Sequence, residues 1–345
     1  MSDRRCPHCH SVYPAPARFC IQDGTLLVES PPPSGGDLVP PPDHLKYATL
    51  SGRMLDRRYV VGHRLGQGGM SYVYRAIEQE TGHAVAVKIL LPHLSLDPRA
   101  VERLRREAAM ATRLSHPNVC PILRWGETED GILYLVMPFL EGEPLSDLEA
   151  RRGHLSLSEG VPLLIQVCHG LQHAHEQQIV HRDLKPENVM LVPRAAGEAG
   201  ALAVRAVVMD FGLAKERRAG PHLAKLTATG VVLGTPEFMS PEQIRGKPLD
   251  GRSDIFALGV LAFELFTSQI PFPGKSAQET MIARLQGSPL SLRDLRPDLP
   301  AQLETVIMKA LAMSPAARFQ SMAEMALALQ ECTEAGATRK LFRRR

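Results

Sequence analysis

One octapeptide constrains this chain more than any other stretch: His181-Arg182-Asp183-Leu184-Lys185-Pro186-Glu187-Asn188. Within a single short loop it gathers a carboxylate that can take a proton, a lysine that can neutralise developing charge, and an amide oxygen that suits a hard metal ion. A second carboxylate, in Asp210-Phe211-Gly212, follows an apolar run. Such groups do chemistry only when they are held together, so the chain has to fold in a way that brings the two loops side by side.

Further motifs stand on either side. Upstream are Gly66-Gln67-Gly68-Gly69-Met70-Ser71 with Val73, then Ala86-Val87-Lys88, then Glu107 in a charged helical stretch; downstream is Ser240-Pro241-Glu242. Phosphates need a backbone that can approach closely and donate N–H groups without obstruction, which Gly66, Gly68 and Gly69 supply. Val85, Val87 and Ile89 alternate with Ala84, Ala86 and Lys88, so a strand here presents Ala86 and Lys88 on one face. The small side chain leaves room for a flat base, and the lysine beside it can reach phosphates. A cation on so apolar a strand needs a partner.

In this order and spacing the motifs make residues 59–334 resemble the eukaryotic-like serine/threonine protein kinases of bacteria. The resemblance implies an α+β, bilobal protein-kinase fold over 58–334, with a small β-rich N-lobe at 58–137 and a larger helical C-lobe at 141–334. It implies ATP and Mg²⁺ as cofactors, protein substrates, and transfer of the γ-phosphoryl group to Ser/Thr hydroxyls in signalling. By resemblance Asp183 accepts the substrate proton and Lys185 neutralises the phosphoryl group; Lys185 also marks serine/threonine specificity. Lys88 bridges the α- and β-phosphates, held by Glu107, and Asn188 and Asp210 bind Mg²⁺. The nucleotide is enclosed by Leu65, Gly66, Gln67, Gly68, Gly69, Met70, Ser71, Tyr72, Val73 and Ala86. Met137 stands as gatekeeper before the hinge, where the Pro138 carbonyl and Leu140 backbone meet adenine. Ser71 replaces the third glycine of the family's loop.

The segment between Asp210 and Glu242 is the expected activation segment. Thr227 and Thr229 are the expected autophosphorylation sites, with self-association for that step, and Arg182 is the residue that grips the phosphate. Thr235 lines the substrate pocket, Glu242 pairs with Arg318, and Asp254 braces the catalytic loop. Intact Lys88, Asp183, Asn188 and Asp210 argue against a catalytically idle scaffold.

Helical spacing is predicted over 97–114, 156–178, 251–267, 275–287, 300–312 and 321–334. The apolar run 255–266, broken by Glu264, is too short for a bilayer and reads as a buried core helix. Residues 193–203, inserted between Asn188 and Asp210, read as a surface loop.

The kinase-like region is preceded by a small module, 1–28, and a proline- and glycine-rich linker, 29–57. Cys6-Pro7-His8-Cys9 has the spacing of a zinc knuckle, and Phe19-Cys20-Ile21-Gln22-Asp23-Gly24 resembles a second one whose last cysteine is Asp23. Zn²⁺ could be held by Cys6, Cys9 and Cys20 with Asp23, His8 or His10, which would make a zinc-ribbon-like module. The six cysteines form no disulfide framework, and no apolar leader follows Met1, which together predict a cytoplasmic protein. A net charge of +3 gives no electrostatic case for nucleic acid or membrane. The basic tail, 335–345, reads as a solvated end.

Overall fold

The computed structural model describes residues 4–5, 12–13, 28–29, 50–68, 71–90, 102, 108–194, 202–211 and 236–342. The chain divides into two units, Met1–Pro42 and Asp43–Arg345. In the first, strands β1 (Arg4–Arg5), β2 (Val12–Tyr13) and β3 (Val28–Glu29) form an antiparallel sheet with β1 in the middle. Cys6, His8, Cys9, His10, Cys20 and Asp23, the expected zinc ligands, lie outside the described residues.

The larger unit opens with a six-stranded antiparallel sheet. Its strands are β4 (Met54–Leu55), β5 (Tyr59–Gly68), β6 (Ser71–Glu78), β7 (Ala84–Leu90), β8 (Arg124–Glu127) and β9 (Leu133–Pro138), in the order β4-β5-β6-β7-β9-β8. Period-two alternation sends Tyr72, Tyr74, Ala76, Val85, Val87, Ile89, Tyr134 and Val136 into one apolar cluster. The opposite face is thereby left to Val73, Lys88 and Leu135, which the pairing of β6, β7 and β9 sets in one row, and to Ala86 and Met137 in the next. Gly126 on β8 is required by close approach, since a Cβ there would meet the Tyr134 ring at 2.2 Å.

Of the helix expected over 97–114, residues 102 and 108–111 are described and helical. It stops short of 114: a turn follows, and the Leu114 N–H bonds to the Ala111 carbonyl at 3.2 Å.

From residue 145 the chain is mainly helical: α1 (Leu145–Arg152), α2 (Leu157–Glu176), α3 (Pro241–Ile244), α4 (Gly251–Thr267), α5 (Ala277–Gln286), α6 (Leu292–Leu295), α7 (Ala301–Ala310) and α8 (Met322–Phe342). Helix α2 starts where Glu159 reaches back to the Ser156 N–H at 3.2 Å, a capping box. Helix α4 is apolar all round and buried almost throughout, as a helix at the centre of its lobe must be. Around it pack Val167 and Leu171 of α2, Leu303 and Ile307 of α7, and Met325 and Leu329 of α8. A small sheet, β10 (Glu143–Pro144), β11 (Val189–Pro193) and β12 (Val204–Val208), completes the lobe. The inserted stretch 193–203 connects β11 to β12: Pro193 pairs with Val204, Arg194 donates to the Ala203 carbonyl, and 195–201 lie outside the described residues.

Candidate active site

The β11–β12 hairpin positions the chemistry. Val189, at one end, pairs with Val208, so the loop entering β11 and the loop leaving β12 emerge side by side. That juxtaposes Asn188 with Met209, whose N–H donates to the Asn188 carbonyl at 2.8 Å, and so brings Asp210 next to the octapeptide.

The octapeptide is itself fixed from below by Asp254, on α4 and 1% exposed. One carboxylate oxygen accepts the Arg182 N–H at 2.9 Å; the other accepts the His181 N–H at 2.8 Å and meets His175 Nε2 at 2.7 Å. Burial alone would raise this carboxyl, but His175 and the amide donors hold it below the usual carboxylate range. His181 has no exposed surface, and its two ring nitrogens are assigned by their partners. Nε2–H donates to the Met209 carbonyl at 2.7 Å, whereas Nδ1 accepts the Asp183 N–H at 3.2 Å. Its ring meets the Phe211 ring edge-on, with centroids 4.9 Å apart. One imidazole thus ties the backbone of Asp183 to the residue before Asp210. Asn188 Nδ2 donates to the Asp183 carbonyl at 2.8 Å, which fixes the rotamer and leaves the amide oxygen for other work. Arg182 and Asp210 both have positive φ, 66° and 58°, an uncommon conformation for residues other than glycine that the surrounding bonds enforce.

Lys88 reaches across from the sheet. Its Nζ lies 2.8 Å from Asp210 Oδ1, with the lysine side chain 15% exposed and the aspartate 32%. Burial works to raise the Asp210 carboxyl, yet the Lys88 ammonium, aided by His181 and then Lys185, holds it below the usual range. Among the described residues the cation on the apolar strand pairs with Asp210; Glu107, expected as its partner, lies outside the described residues.

The glycine-bearing segment is a hairpin in which Gly66 pairs with Val73, Gln67 with Tyr72 and Gly68 with Ser71; Gly69 and Met70 lie outside the described residues. A Cβ at Gly66 would meet nothing within 4 Å, so the fold makes no steric demand for glycine there. The space beside this backbone leaves room for the close approach that a polyphosphate would need. Leu65 is 42% exposed beside this turn, and Met137, Pro138 and Leu140 are half-buried. Behind Met137 a cavity of about 470 Å³, counting its open mouth, is lined by Lys88, Leu114, Cys120, Leu135, Asp210 and Phe211 among others. Burial, then the Asp210 charge, pushes the Cys120 thiol up to about 12, so it is no nucleophile at neutral pH.

Beyond Asp210, Gly212, Thr227, Thr229 and Thr235 lie outside the described residues. Where the chain returns, Glu242 receives a bidentate grip from Arg318, at 2.7 and 2.8 Å, and a bond from Ser253 Oγ at 2.7 Å. Gln243 Nε2 donates to the Arg182 carbonyl at 2.8 Å. His175, Gln243 and the role of His181 escape sequence reasoning, because each acts on a residue far from it in the chain or through ring geometry.

The protein kinase domain model matches residues 59–329. The chain belongs to the protein kinase family. It is 39% identical over 280 residues to a probable serine/threonine-protein kinase of Corynebacterium efficiens, covering 79% of this chain and 41% of that one. It is 38% identical to the serine/threonine-protein kinase pkn3 of Myxococcus xanthus, covering 77% and 48%. The chain thus spans less than half the length of these curated relatives. Among solved structures it is similar to the PknI kinase domain of Mycobacterium tuberculosis, with a TM-score of 0.65, 29% identity, and coverage of 83% of this chain and all of that one. The six-stranded sheet and the helical region are accordingly the two lobes of a kinase fold. Among the described residues no helix is long and apolar enough to cross a membrane.

Proposed function

We propose that the chain is an ATP-dependent protein serine/threonine kinase. The observation that carries this reading is the meeting of Lys88 and Asp210 at 2.8 Å, beside a loop in which Asn188 holds the Asp183 backbone. The substrate hydroxyl oxygen bonds to the γ-phosphorus as the bond from that phosphorus to the β–γ bridging oxygen breaks. The hydroxyl proton passes to the Asp183 carboxylate, and ADP leaves with the bridging oxygen. Lys185 offsets charge on the transferring group, and Lys88, held in place by Glu107, bridges the α- and β-phosphates. Asn188 and Asp210 supply the hard oxygen ligands that Mg²⁺ takes; the ion would neutralise charge on the β- and γ-phosphates. Leu65, Gly66, Gln67, Gly68, Gly69, Met70, Ser71, Tyr72, Val73, Ala86, Met137, Pro138 and Leu140 enclose the nucleotide.

Transfer of radiolabelled γ-phosphate to a generic basic protein tests the reading. Asp183→Asn should lower the rate by about 10²–10⁴-fold, the contribution of a positioned base; a variant as active as the wild type would sink the assignment.

Regulation follows from the same reading. Phosphorylation of Thr227 or Thr229, through transient self-association, gives Arg182 an anion to bind and orders the segment, while Thr235 faces the substrate. Mass spectrometry of the active enzyme should find phosphate on one of the two. In the N-terminal unit Cys6 and Cys9 fall in sequence between paired strands β1 and β2. This suits a zinc knuckle completed by Cys20 and Asp23 or a histidine. Elemental analysis of the full chain should find one Zn²⁺, lost in Cys6→Ser.

A further inference from the structure

Arg284, on α5, is a fully buried cation that the catalytic reading does not use. Burying a guanidinium is costly, and the usual compensation is a carboxylate. Among the described residues no carboxylate forms an ion pair with Arg284. Its fork is spent instead on backbone carbonyls of one turn: Nη1 donates to Pro236 at 2.5 Å and Met239 at 2.7 Å, and Nη2 donates to Glu237. The guanidinium faces the Phe256 and Phe272 rings, 5.8 and 5.7 Å from their centroids, and those rings stack on each other. Phe256 also carries the Arg318 guanidinium, at 4.9 Å. Two buried arginines therefore share one aromatic platform on α4 and hold adjoining stretches of chain. Arg318 holds the Glu242 side chain, whereas Arg284 holds the main chain of 236–239. Burial pushes the Arg284 guanidinium down to about 10, which still leaves it a cation at neutral pH.

The gripped turn has a definite place. It begins immediately after Thr235 and runs into Ser240, whose N–H donates to Gln243 Oε1; Gln243 in turn donates to the carbonyl of Arg182, the residue before Asp183. Segment 236–243 is thus tied at one end to the loop bearing the proton acceptor and at the other to Arg284. It makes none of the described bonds of Lys88, Asn188 or Asp210 on the nucleotide side. Bonds to carbonyls also fix a backbone whatever side chains it carries.

We propose that Arg284 is a positioning residue for the protein substrate, setting the surface after Thr235 at the correct distance from Asp183; this rests on the kinase reading above. Lysine at this position keeps the charge but replaces a two-armed planar fork with a single ammonium, which cannot reproduce the contacts of both arms.

The test is steady-state kinetics of the full chain with Arg284→Lys, using a generic basic protein and ATP as substrates. KM does not depend on the fraction of folded enzyme, so it reads position even where the variant folds less well. The expected result is a KM for the protein substrate raised about tenfold, an ATP KM unchanged within twofold, and unchanged KM for ATP hydrolysis without protein substrate. Hydrogen exchange should quicken at amides of 236–243 and not at 86–90. A protein-substrate KM within twofold of wild type, with any loss confined to kcat, overturns the proposal and leaves a structural clamp only. Equal rises in both KM values overturn it too. A wild-type chain that transfers no phosphate overturns the kinase reading itself, and the inference with it.

Discussion

The two walls of the cleft are built by opposite means. On the sheet side, Val73, Ala86, Lys88, Leu135 and Met137 reach the cleft because their strand neighbours face the other way, into an apolar cluster. No single side chain holds them; the register does. On the helical side, Asp183 and Asn188 sit on a loop whose position depends on individual polar bonds from Asp254, His175, His181 and Gln243. A ladder spreads its positioning over many weak contributions, whereas a buried carboxylate concentrates it in one atom pair. The sheet wall should therefore absorb substitutions that the loop wall cannot.

The sharpest way to break that contrast is Asp254→Ala. It leaves the His181 and Arg182 N–H groups buried and unpaired, so chemical denaturation should show a loss of about 3–5 kcal/mol. Phosphate transfer should fall by about 10²-fold or more in the molecules that remain folded, because the loop is no longer held in place. A variant with normal activity would show that the loop is held by something else.

A smaller effect is expected at Glu149 on α1. Burial first, then the charges of Glu264 and Glu187, raise its carboxyl to about 8. A carboxyl raised on folding favours the native state below its ordinary value near 4.5 and loses that advantage as pH climbs through 8. Glu149→Gln should thus leave the melting temperature unchanged at pH 5 and raise stability by about 1–3 kcal/mol at pH 9, solvent at this half-buried position trimming the full effect. Equal stabilisation at both values would mean that the group never titrates in that range.

The mildest expectation tests the sheet wall. Ile89→Val removes one methyl from the cluster behind Lys88 and should cost about 0.5–1.5 kcal/mol, with the KM for ATP unchanged within twofold. A large rise in KM would show that the ladder transmits small packing changes to the cleft, and the contrast between the walls would fail.

What the sequence makes legible follows the same division. Alternation in 84–90 is a local signal and is enough to orient Lys88. The apolar run 255–266 is another, and it places the central helix of the lobe. The bidentate contact of Arg318 with Glu242 is legible only through family resemblance, since the two lie far apart in the chain. Arg284 is not legible at all: an arginine within Ala277–Gln286 looks like any solvated helix cation, and its partners are carbonyls, which carry no residue-type signal. For Lys88 the local pattern shows only the need for a partner, family resemblance supplies Glu107, and the bond to Asp210 is not legible. The chemistry demands an anion, and which anion is met depends on how the lobes come together.

The β11–β12 hairpin has a consequence of its own. Asn188 and Asp210 flank one end of its two strands, while the chain that links the strands leaves from the other, past the Pro193–Val204 pair. Separation of the two oxygen ligands is thereby uncoupled from the length of peptide between them, because lengthening a closed turn adds little entropy once the rungs below it are formed. A reporter tag spliced into 195–201 should therefore leave the rate of phosphate transfer within about twofold of wild type.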